Sequence, residues 1–248
     1  MASYDILGNL AVVKFVAGEN KKKVAAGILK EHNSVRTVLE KIEKVSGRLR
    51  KIKTKWILGE KNKIARYKEN GCLFKFDVDE TYFSPRLSGE RLEVARRIGR
   101  KDNVLVLFAG VAPFSIVIAK LSRCGRVVSV EINRKASKYA VENVRLNKLS
   151  NVEVIQADVK KLRLKEKFDK IVMPRPQLKE TFLHFVWKFC KKGTEIYYYG
   201  FADEPGKILE EIKDNAGKKI KYKILKVKKA GEIAPYRYRW RVDLLVNG

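Results

Sequence analysis

Between Asn103 and Asp158 the chain alternates apolar runs with helix-like stretches in an order that few folds permit: NVLVLFAGVAPFSIVIAK, then VVSVEIN, then VEVIQAD. Each run is short, rich in β-branched residues and bounded by turn residues, as strands buried on both faces of a parallel sheet must be. The alternation continues downstream. FSIVIAKLSR, RKASKYAVENVRLNK, KETFLHFVWKFCKKG and EPGKILEEIKDNAG read as helices, and FDKIVMPRP and TEIYYYGF as the fourth and fifth strands. The pattern predicts an α/β, doubly wound, mostly parallel sheet. YKILKVKKAG and YRYRWRVDLLVNG are expected to close it as an antiparallel pair. In the second of these, Tyr236, Tyr238, Trp240, Val242 and Leu244 alternate with Arg237, Arg239, Arg241 and Asp243, which predicts one buried face and one basic face.

In such a sheet, ligands collect beyond the carboxyl ends of the strands at a switch in strand order, where a tight turn lets backbone N–H groups approach. Gly110, with Ala109 and Ala112, supplies that closeness. Glu131, ending the second strand, is placed to accept hydrogen bonds from two ribose hydroxyls. Asp158, after the third strand, can meet an adenine amino group or cap a helix. A small-residue turn is also ordinary packing chemistry, so the two carboxylates at successive strand ends are the sharper signal. A dinucleotide fingerprint needs three glycines, and here the second position is Ala112 and the third Ser115. S-adenosylmethionine, which has no pyrophosphate to cradle, fits better.

The 248 residues carry 55 Lys plus Arg against 28 Asp plus Glu, a formal charge of +27. A heat-adapted surface raises both signs together, so this excess points to a polyanionic partner, nucleic acid. From Lys44 to Lys68 basic residues crowd around a single acid, Glu60, with Trp56 and Tyr67 interleaved. Such a strip suits phosphates and stacked bases, or a solvated charged hairpin. Upstream, DILGNLAVVKF reads as a strand, KKKVAAGILKEH as a helix and SVRTVLEKI as strand or helix, while GCLFKFDVD alternates as a strand. Cys72, Cys124 and Cys190 are isolated, and His32 and His184 stand apart, so neither disulfide nor metal framework is expected. No signal pattern or membrane-length apolar run is evident, and a soluble, cytoplasmic protein is expected.

DETYFSPRLSGER, LFAGVAPFSIVIAK and VEINRKASKYAVENVRLNK together resemble the archaeal and eukaryotic tRNA guanine-37 N1-methyltransferases and their wybutosine-pathway relatives. The resemblance covers nearly the whole chain and implies a class I methyltransferase domain over 81–248, preceded by a smaller basic α+β tRNA-binding domain over 1–80. It implies S-adenosylmethionine as cofactor and the tRNA anticodon stem-loop as partner, and leaves oligomeric state open. By the same resemblance, Glu90 of the S-x-E-R stretch is the base that takes the N1 proton, with Arg91 beside it. Arg50 meets the guanine carbonyl oxygen where charge develops. Tyr82 and Arg86 shape the target pocket, and Asn143 matches the pattern. Phe108, Ala109, Gly110, Glu131, Ile132, Asp158 and Pro174 are expected around the cofactor, and Arg175 and Pro176 around the substrate. Plainer readings exist: Glu90 as a first-turn acid favoured by the helix dipole, Arg50 as one phosphate contact among many, and Asn143 as a residue ordering its helix.

The chain departs from the family pattern in three places. Val106 replaces an acid that helps hold the cofactor's amino group, and Ala112 replaces a glycine. The Asn-Leu-Pro exit loop is here Met173-Pro174-Arg175-Pro176. A small domain that many archaeal members carry before the segment beginning here at YDILGN is not expected, and with it contacts to the outer corner of tRNA. Two further activities stay compatible: methylation or aminocarboxypropyl transfer on a tricyclic guanosine derivative, and RNA binding without catalysis.

Overall fold

The computed structural model describes residues 2–42, 49, 51–217 and 220–248. Strands β1 (Ser3–Leu7) and β2 (Leu10–Lys14) form a hairpin, followed by α1 (Lys21–Glu31), β3 (Thr37–Lys41) and β4 (Thr54–Gly59) in a sheet ordered β1-β2-β3-β4. SVRTVLEKI is thus resolved as strand. Gly8 makes the tight turn of the first hairpin at φ +65°, and a Cβ there would meet the Arg66 carbonyl oxygen at 1.8 Å, so only glycine fits.

A second hairpin, β5 (Ile64–Glu69) and β6 (Cys72–Asp77), leads to α2 (Ser88–Arg96). The larger sheet then follows: β7 (Asn103–Leu107), α3 (Pro113–Ser122), β8 (Arg126–Glu131), α4 (Arg134–Leu146), β9 (Val152–Gln156), β10 (Phe168–Met173), β11 (Cys190–Ala202), α5 (Pro205–Ala216), β12 (Tyr222–Ala234) and β13 (Arg237–Val246). Its order is β12-β13-β11-β10-β7-β8-β9. β7 to β11 run parallel where they pair, and β12 and β13 close the sheet antiparallel, as expected. The order reverses between β7 and β10, which locates the switch point.

The β5–β6 hairpin lies on the N-terminal side of the expected boundary at residue 80, yet it packs on the helices of the large sheet. Phe74 and Phe76 share one core with Val104, Val106, Ile116 and Ala140. Two asparagines on α4 fasten it: the Asn143 side chain accepts from Lys75 N at 2.7 Å, and Asn147 accepts from Leu73 N at 2.9 Å and donates to Leu73 O at 2.7 Å. The amides satisfy strand groups that would otherwise be buried without partners. The small sheet keeps its own core, Ala11, Val13, Ala25, Ile28, Val35 and Val38.

Two sequence expectations are corrected. Residues 179–193 are not an α-helix but two 3-10 turns, Leu183–Phe185 and Trp187–Phe189, entering β11 at Cys190. The buried Leu183, Val186 and Phe189 recur every three residues, the 3-10 period rather than 3.6. Nor is one face of β13 an exposed basic face: Arg241 and Asp243 are 0% and 1% exposed. β13 is an interior strand, and α2 covers that face with Glu90, Glu93 and Arg97, which pair with Arg241 and Asp243.

Candidate active site

At the switch point, β7 ends in Phe108-Ala109-Gly110-Val111-Ala112, with Phe108, Gly110 and Ala112 all at positive φ. This contorted turn exposes backbone toward the space between β7 and β8. Gly110 is at φ +58° and an added Cβ would sit 3.3 Å from the Tyr82 carbonyl oxygen, so the loop carrying Tyr82 closes over it. Glu131, at the tip of β8, accepts from Gly110 N at 2.7 Å and from Asn133 N at 2.8 Å. Burial raises its pKa, against the opposing pull of the Asn133, Gly110 and Ile132 N–H groups. A carboxylate offers about four lone-pair sites, so capacity remains for a diol. Asn133 caps α4 through Lys135 N and Ala136 N and ties the site to the preceding loop through Glu80 O at 2.8 Å.

Phe108, Ala109, Gly110, Glu131 and Asn133 line a cavity together with Leu49, Tyr82, Phe83, Leu87, Arg91, Ile132, Pro174, Arg175, Pro176 and Arg239. An apolar slot adjoins it, sharing Phe108, Ile132 and Pro176 and ending at Asp158 and Phe182. Asp158 caps a 3-10 turn by accepting from Lys160 N at 3.0 Å. The set matches an adenosine: an apolar slot lined by the acid Asp158, then a half-buried acid, Glu131, at ribose level. It suits a pyrophosphate poorly, because α3 begins with Pro113, which lacks an N–H, after Ala112 in the left-handed conformation. Val106 is fully buried in the core.

On the other side, Arg91 is 1% exposed and gripped by Glu69 through two guanidinium nitrogens, with a further bond to Ser84 O at 3.0 Å. Its guanidinium lies over Phe83 and Phe114, both lining the cavity. Tyr82, Phe83 and Ser84 also border a larger groove between the two sheets, which Arg86, Lys14, Lys41 and Arg239 line as well. Arg86 faces this groove rather than the cavity, paired with Asp5 at 2.9 Å. Arg50 lies outside the described residues, and its neighbour Leu49 lines the cavity. In the exit loop Arg175 is 3% exposed, bonded to Leu178 O at 3.1 Å and Glu211 at 2.7 Å.

Two further expected site residues, like Arg86, stand outside the cavity. Glu90 does not line the cavity: its carboxylate accepts from Lys228 at 2.5 Å, Arg241 at 2.7 Å and the Tyr199 hydroxyl at 3.2 Å. It lies just behind the wall, since Leu87 one turn earlier and the adjacent Arg91 both line it. Asn143 is fully buried, with its amide spent on Lys75 N and Val111 O, so it props the cofactor turn from behind and is closed to substrate. Tyr67, one of the two aromatic residues interleaved in the basic strip, packs edge-on against Phe83. Conversely, Asn133, Phe182 and Arg239 were not singled out as site residues. The Asn133 signal was present in E-I-N-R, an N-cap residue just after an acid-tipped strand; Phe182 lies off the three-residue period of Leu183, Val186 and Phe189, so the pattern does not reveal it.

Residues 65–225 match the family model described as the TRM5/TYW2 methyltransferase domain. The chain is 35% identical to the tRNA (guanine(37)-N(1))-methyltransferase Trm5b of Pyrococcus abyssi, across 99% of this chain and 75% of that protein. It is 31% identical to the tRNA (guanine(37)-N(1))/4-demethylwyosine(37)-methyltransferase Taw22 of Nanoarchaeum equitans, across 98% and 99%. Among solved structures it is similar to the complex of aTrm5 with tRNALeu (TM-score 0.89, 26% identity, 99% and 72% covered). It is also similar to Methanocaldococcus jannaschii TYW2 in complex with AdoMet (TM-score 0.73, 26% identity, 99% of each chain).

Proposed function

This chain belongs to the TRM5/TYW2 methyltransferase family, and from that membership we propose that it transfers the methyl group of S-adenosylmethionine to N1 of guanosine 37, beside the anticodon of tRNA. The observation that carries the reading is the pairing of an adenosine-shaped recess, built on Gly110, Glu131 and Asp158, with a groove that opens into it past Tyr82–Ser84. The bound cofactor supplies an electrophilic methyl group. Glu131 orients the ribose, Phe108 and Ile132 sandwich the slot, and Asp158 stands at the adenine edge. The target base leaves its stack to enter from the groove, and the +27 charge draws the anticodon stem-loop to it. A cytoplasmic setting goes with this substrate.

Removing the N1 proton needs a base. In this reading Glu90 serves, its carboxylate turning from Lys228 and Arg241 toward the wall formed by Leu87 and Arg91. Methylation of unmodified tRNA transcripts tests both claims. Replacing guanosine 37 should abolish methyl transfer. Glu90→Gln should lower kcat about 100-fold or more without changing cofactor affinity. Retained turnover with only a lowered Tm would instead assign Glu90 to the ion cluster alone.

One observation favours a second acceptor, a tricyclic guanosine derivative. The exit loop lacks the family's asparagine, and Arg175 folds back onto Glu211, while the Nanoarchaeum relative is named for both substrates. Mass spectrometry of nucleosides from tRNA treated before and after formation of the tricycle separates the two.

A further inference from the structure

Among the described residues three arginines line the cofactor cavity, and two have a carboxylate of their own: Arg91 holds Glu69, and Arg175 holds Glu211. The third, Arg239, has no side-chain hydrogen bond or ion pair among the described residues. It is half-buried, and its guanidinium rests 5.3 Å from the centre of the Phe201 ring. Strand register explains its posture. On β13, Arg239 lies opposite Phe201 of β11 and Gly231 of β12. The ring supports the guanidinium from one side, and Gly231, opposite on the other strand, contributes no side chain. Arg175 approaches the same ring at 5.6 Å, and its Nε is the one buried side-chain nitrogen or oxygen without a partner among the described residues.

Position turns this into function. Among the described residues, Tyr82, Phe83, Ser84 and Arg239 alone border both the cavity and the groove, so they form the neck between the two. A nucleotide that passes its base through a neck leaves its phosphodiester at the neck's rim. We propose that Arg239 is the phosphate seat for the extruded nucleotide: a positioning residue that grips the RNA backbone while the base occupies the cavity. A half-buried guanidinium lacking a counter-charge gains most from an anion, and the Phe201 ring holds it pre-oriented for a two-pronged grip. The proposal rests on RNA entering by the groove, as in the function proposed above.

Binding, rather than turnover, is the test. An anticodon stem-loop RNA is titrated onto the full chain with saturating S-adenosylhomocysteine at several salt concentrations, for wild type, Arg239→Gln and Arg239→Lys. Arg239→Gln should weaken binding about tenfold or more, the scale of one charge-assisted contact. It should also reduce the log–log salt slope by about 0.7 to 0.9, with Arg239→Lys intermediate. A neutral methylphosphonate at one of the two phosphates flanking the target guanosine should cost wild type as much as the substitution does, and cost Arg239→Gln nothing further. Strictly additive losses, or an unchanged slope, overturn the proposal. Loss of S-adenosylhomocysteine affinity at unchanged Tm also overturns it, by giving Arg239 to the cofactor's carboxylate. Wild type that binds the stem-loop but leaves guanosine 37 unmethylated removes the proposed reaction while the phosphate comparison still stands.

Discussion

At the scale of single residues, the described site, Arg239 apart, is built from charged groups that already have partners. Glu131 accepts two backbone N–H groups before any ligand arrives, so its orientation is set in advance and little ordering remains for binding to supply. Glu131→Ala should weaken S-adenosylhomocysteine binding by at least about tenfold, since hydrogen bonds to a charged group contribute roughly 1.5–3 kcal/mol; titration calorimetry measures this. Its raised pKa sets the pH dependence. As pH falls, affinity should decline through a midpoint above the ordinary 4.5, because the protonated acid loses acceptor strength toward the ribose, and Glu131→Gln should flatten the profile. Arg91 and Glu69 make the same point for the opposite wall, both being less than 8% exposed. Glu69→Ala leaves a buried cation without its partner and should cost about 3–5 kcal/mol in urea denaturation, with the cavity wall loosening as Arg91 seeks water.

Among the elements, the β5–β6 hairpin joins the two sheets, and α4 holds it by side-chain amides rather than by strand pairing alone. Each amide replaces a hydrogen bond that a neighbouring strand would make. Asn147→Ala removes two of these bonds to Leu73 and one to Asn143 O at 2.8 Å. Buried partners left unpaired cost about 1–3 kcal/mol each, so Asn147→Ala should lower stability by a few kcal/mol and speed amide exchange first in β6. Asn143→Ala should also loosen the turn at Val111 and therefore lower cofactor affinity without touching the cofactor. The irregular segment from Phe182 to Phe189 serves similarly on the far side, packing Leu183, Val186 and Phe189 into the second core.

Across the whole molecule, a net charge of +27 coexists with acids held in ion clusters. Glu93, partly exposed in the cluster between α2, β12 and β13, is one of them: burial alone would raise its pKa, but Lys228, Arg241 and Lys226 bring it down to about 2. A carboxyl depressed from 4.5 stabilises the fold above that value, and the contribution fades as pH falls toward 2. Chemical denaturation at stepped pH should show that fall, with a shallower slope in Glu93→Gln.

The strand-and-helix alternation, the acid-tipped strands and the basic excess are local properties of the chain, fixed by side-chain periodicity and composition, and they sufficed to place the sheet, Gly110, Glu131 and Asp158. What faced what was not local. Whether Arg239 met a carboxylate, a ring or open space depended on strand register with Phe201 and Gly231, distant in the chain and adjacent only after the sheet closed. Glu90 and Arg241 likewise lie 151 residues apart, and their attraction exists only because α2 packs over β13, burying Arg241 on the face that the alternation read as basic.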